Sequence, residues 1–240
     1  MLHNQARPCT TPNGTTRNPM ESEITPAAPR PRGRPARPEH EANDAALAAA
    51  TWLLLNEGYA ATTMEAVARR AGLAKKTLYR FAANREDLVA LVVRSWTDGF
   101  RPALSADAQS ASEVAPALAE ILRVIAARVL SAEAVGMFRL LTTDFPAKPE
   151  LLEVYQRNGI ERGRGMLVDW LRRQCGKGLL RAEQPEVVCD LLLSMVIAEP
   201  LRQMALGLTP PVPEWDPGPR IDDAVRLLAG HSCRMEPADR

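Results

Sequence analysis

Residues 46–91 read ALAAATWLLLNEGYAATTMEAVARRAGLAKKTLYRFAANREDLVAL, and their punctuation decides the fold. Ala46, Ala49, Ala50, Leu53 and Leu54 recur at helical spacing in a stretch that opens at Glu39, and Gly58 supplies a stop. Thr62 followed three residues later by Glu65 has the form of a capping box, opening a short second helix that runs to about Ala71. Gly72 allows a tight turn, and a third helix of about two turns is expected from Ala74 to Phe81. Asn84 with Asp87 repeats the cap signature and opens a fourth helix ending near Pro102.

The third helix carries the chemistry. Ala74, Leu78 and Phe81 form a stripe expected to pack inward, which turns Lys75, Lys76, Tyr79 and Arg80 outward together. Three cations and a phenol on one face, with no acid among them, suit a helix lying in the major groove. Lysine can donate to guanine or phosphate, and tyrosine can bond phosphate while packing on sugar or a thymine methyl. Thr63 and Arg85 stand at the starts of the flanking helices, where they could clamp backbone phosphates. A solvated face of a small helical bundle is the bland alternative. The cap, the glycine turn and the basic segment upstream together favour DNA.

Gly58-Tyr59, Thr62-Thr63, the Ala68-to-Gly72 segment, Leu78-Tyr79 and the Glu86-to-Leu88 helix start together resemble the DNA-binding domain of the TetR family of bacterial regulators. The resemblance implies an all-helical homodimer that binds operator DNA and releases it when a small molecule binds the larger C-terminal domain. It also implies that Thr63, Lys76, Thr77, Tyr79 and Arg85 touch DNA. Where the family usually has Ser or Thr, Phe and Lys, this chain has Ala74, Ala82 and Arg85. Ala74 loses a side-chain cap, worth around 1 kcal/mol. Ala82 leaves a smaller core that Phe81 can partly fill.

Upstream, residues 1–38 are rich in Pro, Thr, Asn and Arg and hold too little apolar surface to fold, so they are read as a disordered arm. The arm ends in RPRGRPAR, residues 30–37, and Arg32-Gly33-Arg34-Pro35 resembles an AT-hook that follows the narrow minor groove. Net charge follows the same polarity. Residues 30–95 hold eleven Lys and Arg against seven Asp and Glu, whereas residues 96–240 hold seventeen against twenty. One end is suited to a polyanion and the other is not.

Beyond Arg85 no window alternates in the manner of a strand. Helices are expected near 112–130, 132–145, 149–175, 185–207 and 220–231, about nine in all, with a loop of five prolines over 209–219. The division is therefore an arm (1–38), a helix-turn-helix domain (39–84), and a helical effector-binding and dimerisation domain (85–240). The segment from Met137 through Phe138-Arg139-Leu140-Leu141, and later Pro185 to Gly207, resembles AefR-like C-terminal domains.

Trp96, Phe100, Phe138, Leu141, Met166, Trp170 and Met195 are the candidates to enclose an apolar or aromatic effector. For any one of them plain core is the stronger reading. Val187, Val188, Leu191, Leu192, Met195 and Ala198 give the helix after Pro185 a broad apolar face, suited either to a dimer bundle with the last helix or to the interior. The four cysteines are scattered and lack metal-ligand spacing, so they are read as free thiols of a reducing cytoplasm. The first thirty residues lack the apolar stretch of a signal peptide, and the apolar run Leu191 to Ala198 is too short to span a bilayer. No metal or cofactor is expected. His3, His40 and His231 sit near no nucleophile in sequence, and no glycine-rich phosphate loop occurs, which argues against an enzyme. An architectural DNA-binding protein without an effector remains the competing binder, distinguished by an absence of ligand response.

Overall fold

The computed structural model describes residues 37–143 and 148–232. Among these there are ten continuous helices and no strand. In order they are α1 (Glu39–Ala61), α2 (Met64–Ala71), α3 (Lys75–Leu78), α4 (Arg85–Asp98), α5 (Arg101–Ser105), α6 (Ala111–Val129) and α7 (Ala132–Thr143). Then α8 (Pro149–Tyr155) runs through a π-helical turn (Gln156–Glu161) into α9 (Arg162–Gly176). Likewise α10 (Pro185–Leu193) continues through a second π turn (Ser194–Ala198) into α11 (Glu199–Ala205), and α12 (Gly218–Ser232) is the last element among the described residues.

Local chemistry accounts for most of the boundaries. Gly58 adopts φ 78°, which breaks the regular part of α1 where the sequence places its stop. Thr63, not Thr62, caps α2: its hydroxyl accepts from Ala66 N at 3.1 Å, while buried Thr62 donates back to Gly58 O at 2.8 Å. Gly72 takes the left-handed conformation and its N–H returns to Ala68 O and Arg69 O. Asn84 caps α4 by accepting from Asp87 N at 2.7 Å, and Asp87 accepts from Ala83 N in return. The expected helix to Pro102 is split, because Gly99 and Phe100 tighten to i→i−3 bonds and Pro102 has no N–H to continue the ladder. That split produces α5 and the tenth helix.

Two hydrophobic cores result. One joins α1, α2, Leu78 and the first half of α4 to Met137, Leu141 and Leu151 of α7 and α8. The other gathers α6, α9, α10 and α12 around Leu118, Leu122, Leu167 and Trp170. The proline-rich loop is tied in by Val212 N donating to Leu130 O at 3.0 Å. Helix α4 belongs to both regions: its N-terminus abuts the helix-turn-helix, and Phe100 just beyond its C-terminus sits in the second core.

Candidate nucleic-acid interface and ligand cavity

Helix α3 is a single turn. Ala74 precedes it without a side-chain cap, and after Tyr79, whose N–H still bonds Lys75 O, Arg80 and Phe81 tighten to i→i−3 bonds, so the expected two-turn helix is shorter. Leu78 anchors it in the core and Phe81 packs half-buried, but Ala74 is exposed, so the inward stripe is only those two residues. Lys75, Lys76, Tyr79 and Arg80 are all exposed and Thr77 is half-buried. Two of the cations meet acids supplied by other helices: Lys75 Nζ lies 2.7 Å from Glu65 Oε1 and Arg80 lies 3.0 Å from Glu39. Lys76 has no ion pair among the described residues. The Lys75 bond holds the Glu65 carboxyl below its usual range, so this acid stays charged beside the helix.

Thr63 is exposed at the start of α2, with its hydroxyl proton left to donate. Arg85 is half-buried and already engaged: it donates to Tyr59 O at 3.2 Å and its guanidinium stands 3.9 Å from the Tyr59 ring centre. Lys148 approaches the same ring at 4.6 Å, from the segment before α8. The Tyr59 hydroxyl donates to Glu86 at 2.8 Å, and burial with this bond pushes the phenol up to about 12. Arg32 and Arg34 lie outside the described residues.

The second feature is a cavity of about 450 Å³ beside α4. Val93, Trp96 and Thr97 of α4, with Phe100, form one wall; Ile125 and Val129 of α6 with Ala134 and Phe138 of α7 form another. Both π turns line it, the first through Gly159 and Ile160 and the second through Ser194, Ile197 and Ala198. π turns recur at functional sites because the inserted residue re-aims side chains. Val93, Phe100 and Leu201 are buried inside it, whereas Ile160, Asp190, Ser194 and Ala198 are exposed and mark its mouth. There Arg164 of α9 holds Asp190 of α10 through two bonds of 2.5 and 2.9 Å.

Three of the seven sequence candidates, Trp96, Phe100 and Phe138, come together on this cavity. The other four lie elsewhere. Leu141 belongs to the core beneath α1, Trp170 is fully buried with Nε1 donating to Ala106 O at 2.9 Å, and Met166 and Met195 pack against the second core. Sequence reasoning missed Tyr155, Arg164, Asp190 and Ser194. Tyr155 belonged to the expected helix over 149–175, yet only the fold brings a phenol on α8 opposite Trp96 and Phe138.

The wall also contacts α4 closely. A Cβ on Gly159 would stand 2.9 Å from Val93 Cγ1, and one on Gly163 would stand 3.3 Å from Phe100. Arg162 donates to Thr97 Oγ1 at 2.8 Å and to Asp98 at 2.7 Å; against the desolvation that opposes it, the Asp98 carboxyl is held below its usual range by its bonds from Arg101, at 2.9 Å, and Arg162 together. Thus the first π turn and α9 grip the C-terminal half of the helix whose N-terminus adjoins the recognition element. Among the described residues no cluster of His, Cys, Asp and Glu could hold a metal, and no helix is long and apolar enough to cross a membrane.

Residues 46–92 match the family described as bacterial regulatory proteins of the tetR family, and residues 116–231 match the C-terminal domain of AefR-like transcriptional repressors. Among solved structures, a TetR-family transcriptional regulator from Mesorhizobium loti is 19% identical, with 82% of this chain and 98% of that chain covered and a TM-score of 0.63. The flavonoid-responsive regulator FrrA is 22% identical, over 83% and 100% of the two chains, with a TM-score of 0.58. FadR from Bacillus subtilis in complex with stearoyl-CoA is 14% identical, over 77% and 96%, with a TM-score of 0.57. At such identities the likeness is one of fold. No curated protein matches the sequence.

Proposed function

The chain belongs to the TetR family of DNA-binding transcriptional regulators, and on that premise we propose that it is a homodimeric repressor released from a palindromic operator by a small apolar or aromatic effector. Its division of labour follows the sequence: residues 1–38 form a basic arm, 39–84 the DNA-binding domain, and 85–240 the effector and dimer domain. Lys76 and Tyr79 read bases, Lys75, Thr77 and Arg80 support them, and Thr63 and Arg85 hold phosphates. Arg32 and Arg34 follow the minor groove beside the half-site. The cytoplasm is where such a protein meets chromosomal DNA.

The observation that carries this reading is the placement of α4. Its first residue stands beside the recognition element, while Val93, Trp96 and Thr97 line the cavity. A ligand that binds better when α4 is displaced from the first π turn would favour a conformation with differently spaced recognition helices. Only a spacing of about one DNA turn engages both half-sites. FrrA and FadR, with the same fold, are named for a flavonoid response and solved with stearoyl-CoA, which supports a response to a small molecule. Dimerisation is assigned to α10 and α12, where Val187, Leu191 and Leu227 expose apolar surface on two helices that pack against each other.

Selection of duplexes from a random library by the full-length protein tests the proposal. A palindrome with A/T-rich flanks is expected, bound by two protomers, with apolar aromatic compounds lowering its affinity about five- to 150-fold. Enrichment of A/T-rich DNA without any palindrome, insensitive to every ligand, would instead indicate an architectural protein.

A further inference from the structure

We propose that the cavity takes an uncharged, flat aromatic molecule bearing a hydroxyl or carbonyl oxygen, which stacks among Trp96, Phe100 and Phe138 and bonds the hydroxyl of Tyr155. This inference rests on the reading of the cavity as the effector site and names the class of compound it accepts.

Four observations converge on it. First, the chain has eleven aromatic residues, and Trp96, Phe100, Phe138 and Tyr155 all line this one space. An acyl chain needs only aliphatic walls; four rings from three segments offer edge and face contacts that reward a second π system. Second, the volume of about 450 Å³ falls in the lower part of the roughly 300 to 1,000 Å³ range of small-molecule sites. That suits two or three fused or linked rings and would leave a nucleotide thioester outside.

Third, the full charges on the wall among the described residues, Arg164 and Asp190, cancel. Arg164 and Asp190 bond one another through both carboxylate oxygens, each shifted toward its charged form by the other. An anionic ligand that approached Arg164 would meet Asp190, and a cationic one that approached Asp190 would meet Arg164. Either would have to break the pair, whereas a neutral molecule leaves it intact.

Fourth, the uncommitted polar groups are hydroxyls. Neither Tyr155 nor Ser194 makes a side-chain hydrogen bond among the described residues. Burial pushes the Tyr155 phenol up to about 12, so it remains a neutral donor and acceptor at physiological pH. Thr97, the other hydroxyl on the wall, already accepts from Arg162 and donates to Arg94 O.

Calorimetric titration of the full-length protein at pH 7 with naphthalene, 2-naphthol, 2-naphthoate and 2-naphthylmethylammonium separates the terms. 2-Naphthol should bind at least about tenfold more tightly than either ion. Tyr155→Phe should weaken 2-naphthol about two- to tenfold, the range of one hydrogen bond, and leave naphthalene unchanged, which also shows that the variant is folded. Asp190→Asn should admit 2-naphthoate by freeing Arg164. Equal or tighter binding of an ion by the natural protein, no loss of 2-naphthol on Tyr155→Phe, or no binding of any probe overturns the proposal. Should 2-naphthol bind with this selectivity yet leave the affinity for selected DNA unchanged, the ligand class stands and the effector reading fails.

Discussion

Lys76 and Tyr79 stand within four residues of each other on a single helical turn, whereas Trp96, Phe100, Phe138 and Tyr155 reach the cavity from three separate segments between residues 96 and 155. The first site is built by local rules: a glycine turn, one buried leucine and an outward face. The second exists only once α4, α6, α7 and the two π turns have packed together. A surface site made of consecutive polar residues announces itself in sequence, because polar side chains that point outward have little other employment. An apolar wall does not, because the same residue types fill the core.

The largest test of how far the two regions depend on each other is Leu191→Asp. Leu191 is 58% exposed on α10, so a carboxylate there should leave the fold intact while opposing burial between protomers. The expected result is a folded monomer that binds selected DNA about 10²- to 10⁴-fold more weakly, since two linked half-site contacts become one. Sedimentation velocity and a DNA titration measure both effects. A variant that stays dimeric would place the interface elsewhere and detach α10 from the head's function. Leu192, one position on, is 1% exposed and belongs to the internal core, so a charge there would unfold the chain and report nothing about dimers. The sequence grouped both residues on one face. Only the packing of α10 against α9 and α12 separates them.

The same reasoning explains what else could be read early. Gly58, Gly72 and Asn84 mark boundaries because each acts through its own backbone or hydrogen bonds, and the structure uses all of them. The shift of the α2 cap from Thr62 to Thr63 was beyond reach: two adjacent threonines offer the same hydroxyl, and burial of Thr62 against α1 decides between them. Both π turns were equally hidden, since one inserted residue slips the helical period without changing composition. Trp170 and Leu141 look as suitable for a ligand as Trp96 and Phe138; the second pair borders empty space and the first pair does not.

Within the head, Lys76→Ala and Tyr79→Phe should each weaken binding to the selected palindrome by roughly five- to 150-fold without changing helicity or dimerisation, because neither side chain enters a core. A base contact would also relax preference at one position of the site, while a phosphate contact would weaken all duplexes alike. Unchanged affinity in both variants would remove α3 from the groove.

Gly159→Ala probes the joint between the regions. Val93 is 1% exposed and branched at Cβ, so it has little freedom to withdraw from the added methyl at 2.9 Å. The cost in stability should be about 1 to 3 kcal/mol, read as a lower melting temperature. If α4 yields in place of Val93, affinity for selected DNA should fall with no effector present, imitating the released state. A stable variant with unaltered DNA binding would mean that α4 and the first π turn move together and the coupling runs elsewhere.

The smallest effect expected comes from Glu65→Gln, and its sign is its value. Lys75 and Glu65 are about equally exposed, at 60% and 55% of their side-chain surface, so water already screens their attraction and the pair adds little to the fold. The pair does fix a negative charge beside the recognition face, because Lys75 holds the Glu65 carboxyl below its usual range and keeps it ionised throughout physiological pH. Near phosphates that charge is repulsive, and it occupies the ammonium that could otherwise neutralise one of them. Gln removes the charge and releases Lys75 at nearly constant shape. Melting should fall slightly, since the first turn of α2 loses an acid that favours its dipole. DNA affinity should nevertheless rise a few-fold, and the slope of log affinity against log salt should steepen by up to about one, the contribution of a single phosphate contact. A weaker complex with an unchanged slope would show that Glu65 serves the head by positioning Lys75, and that the salt bridge belongs to the interface and not to its periphery.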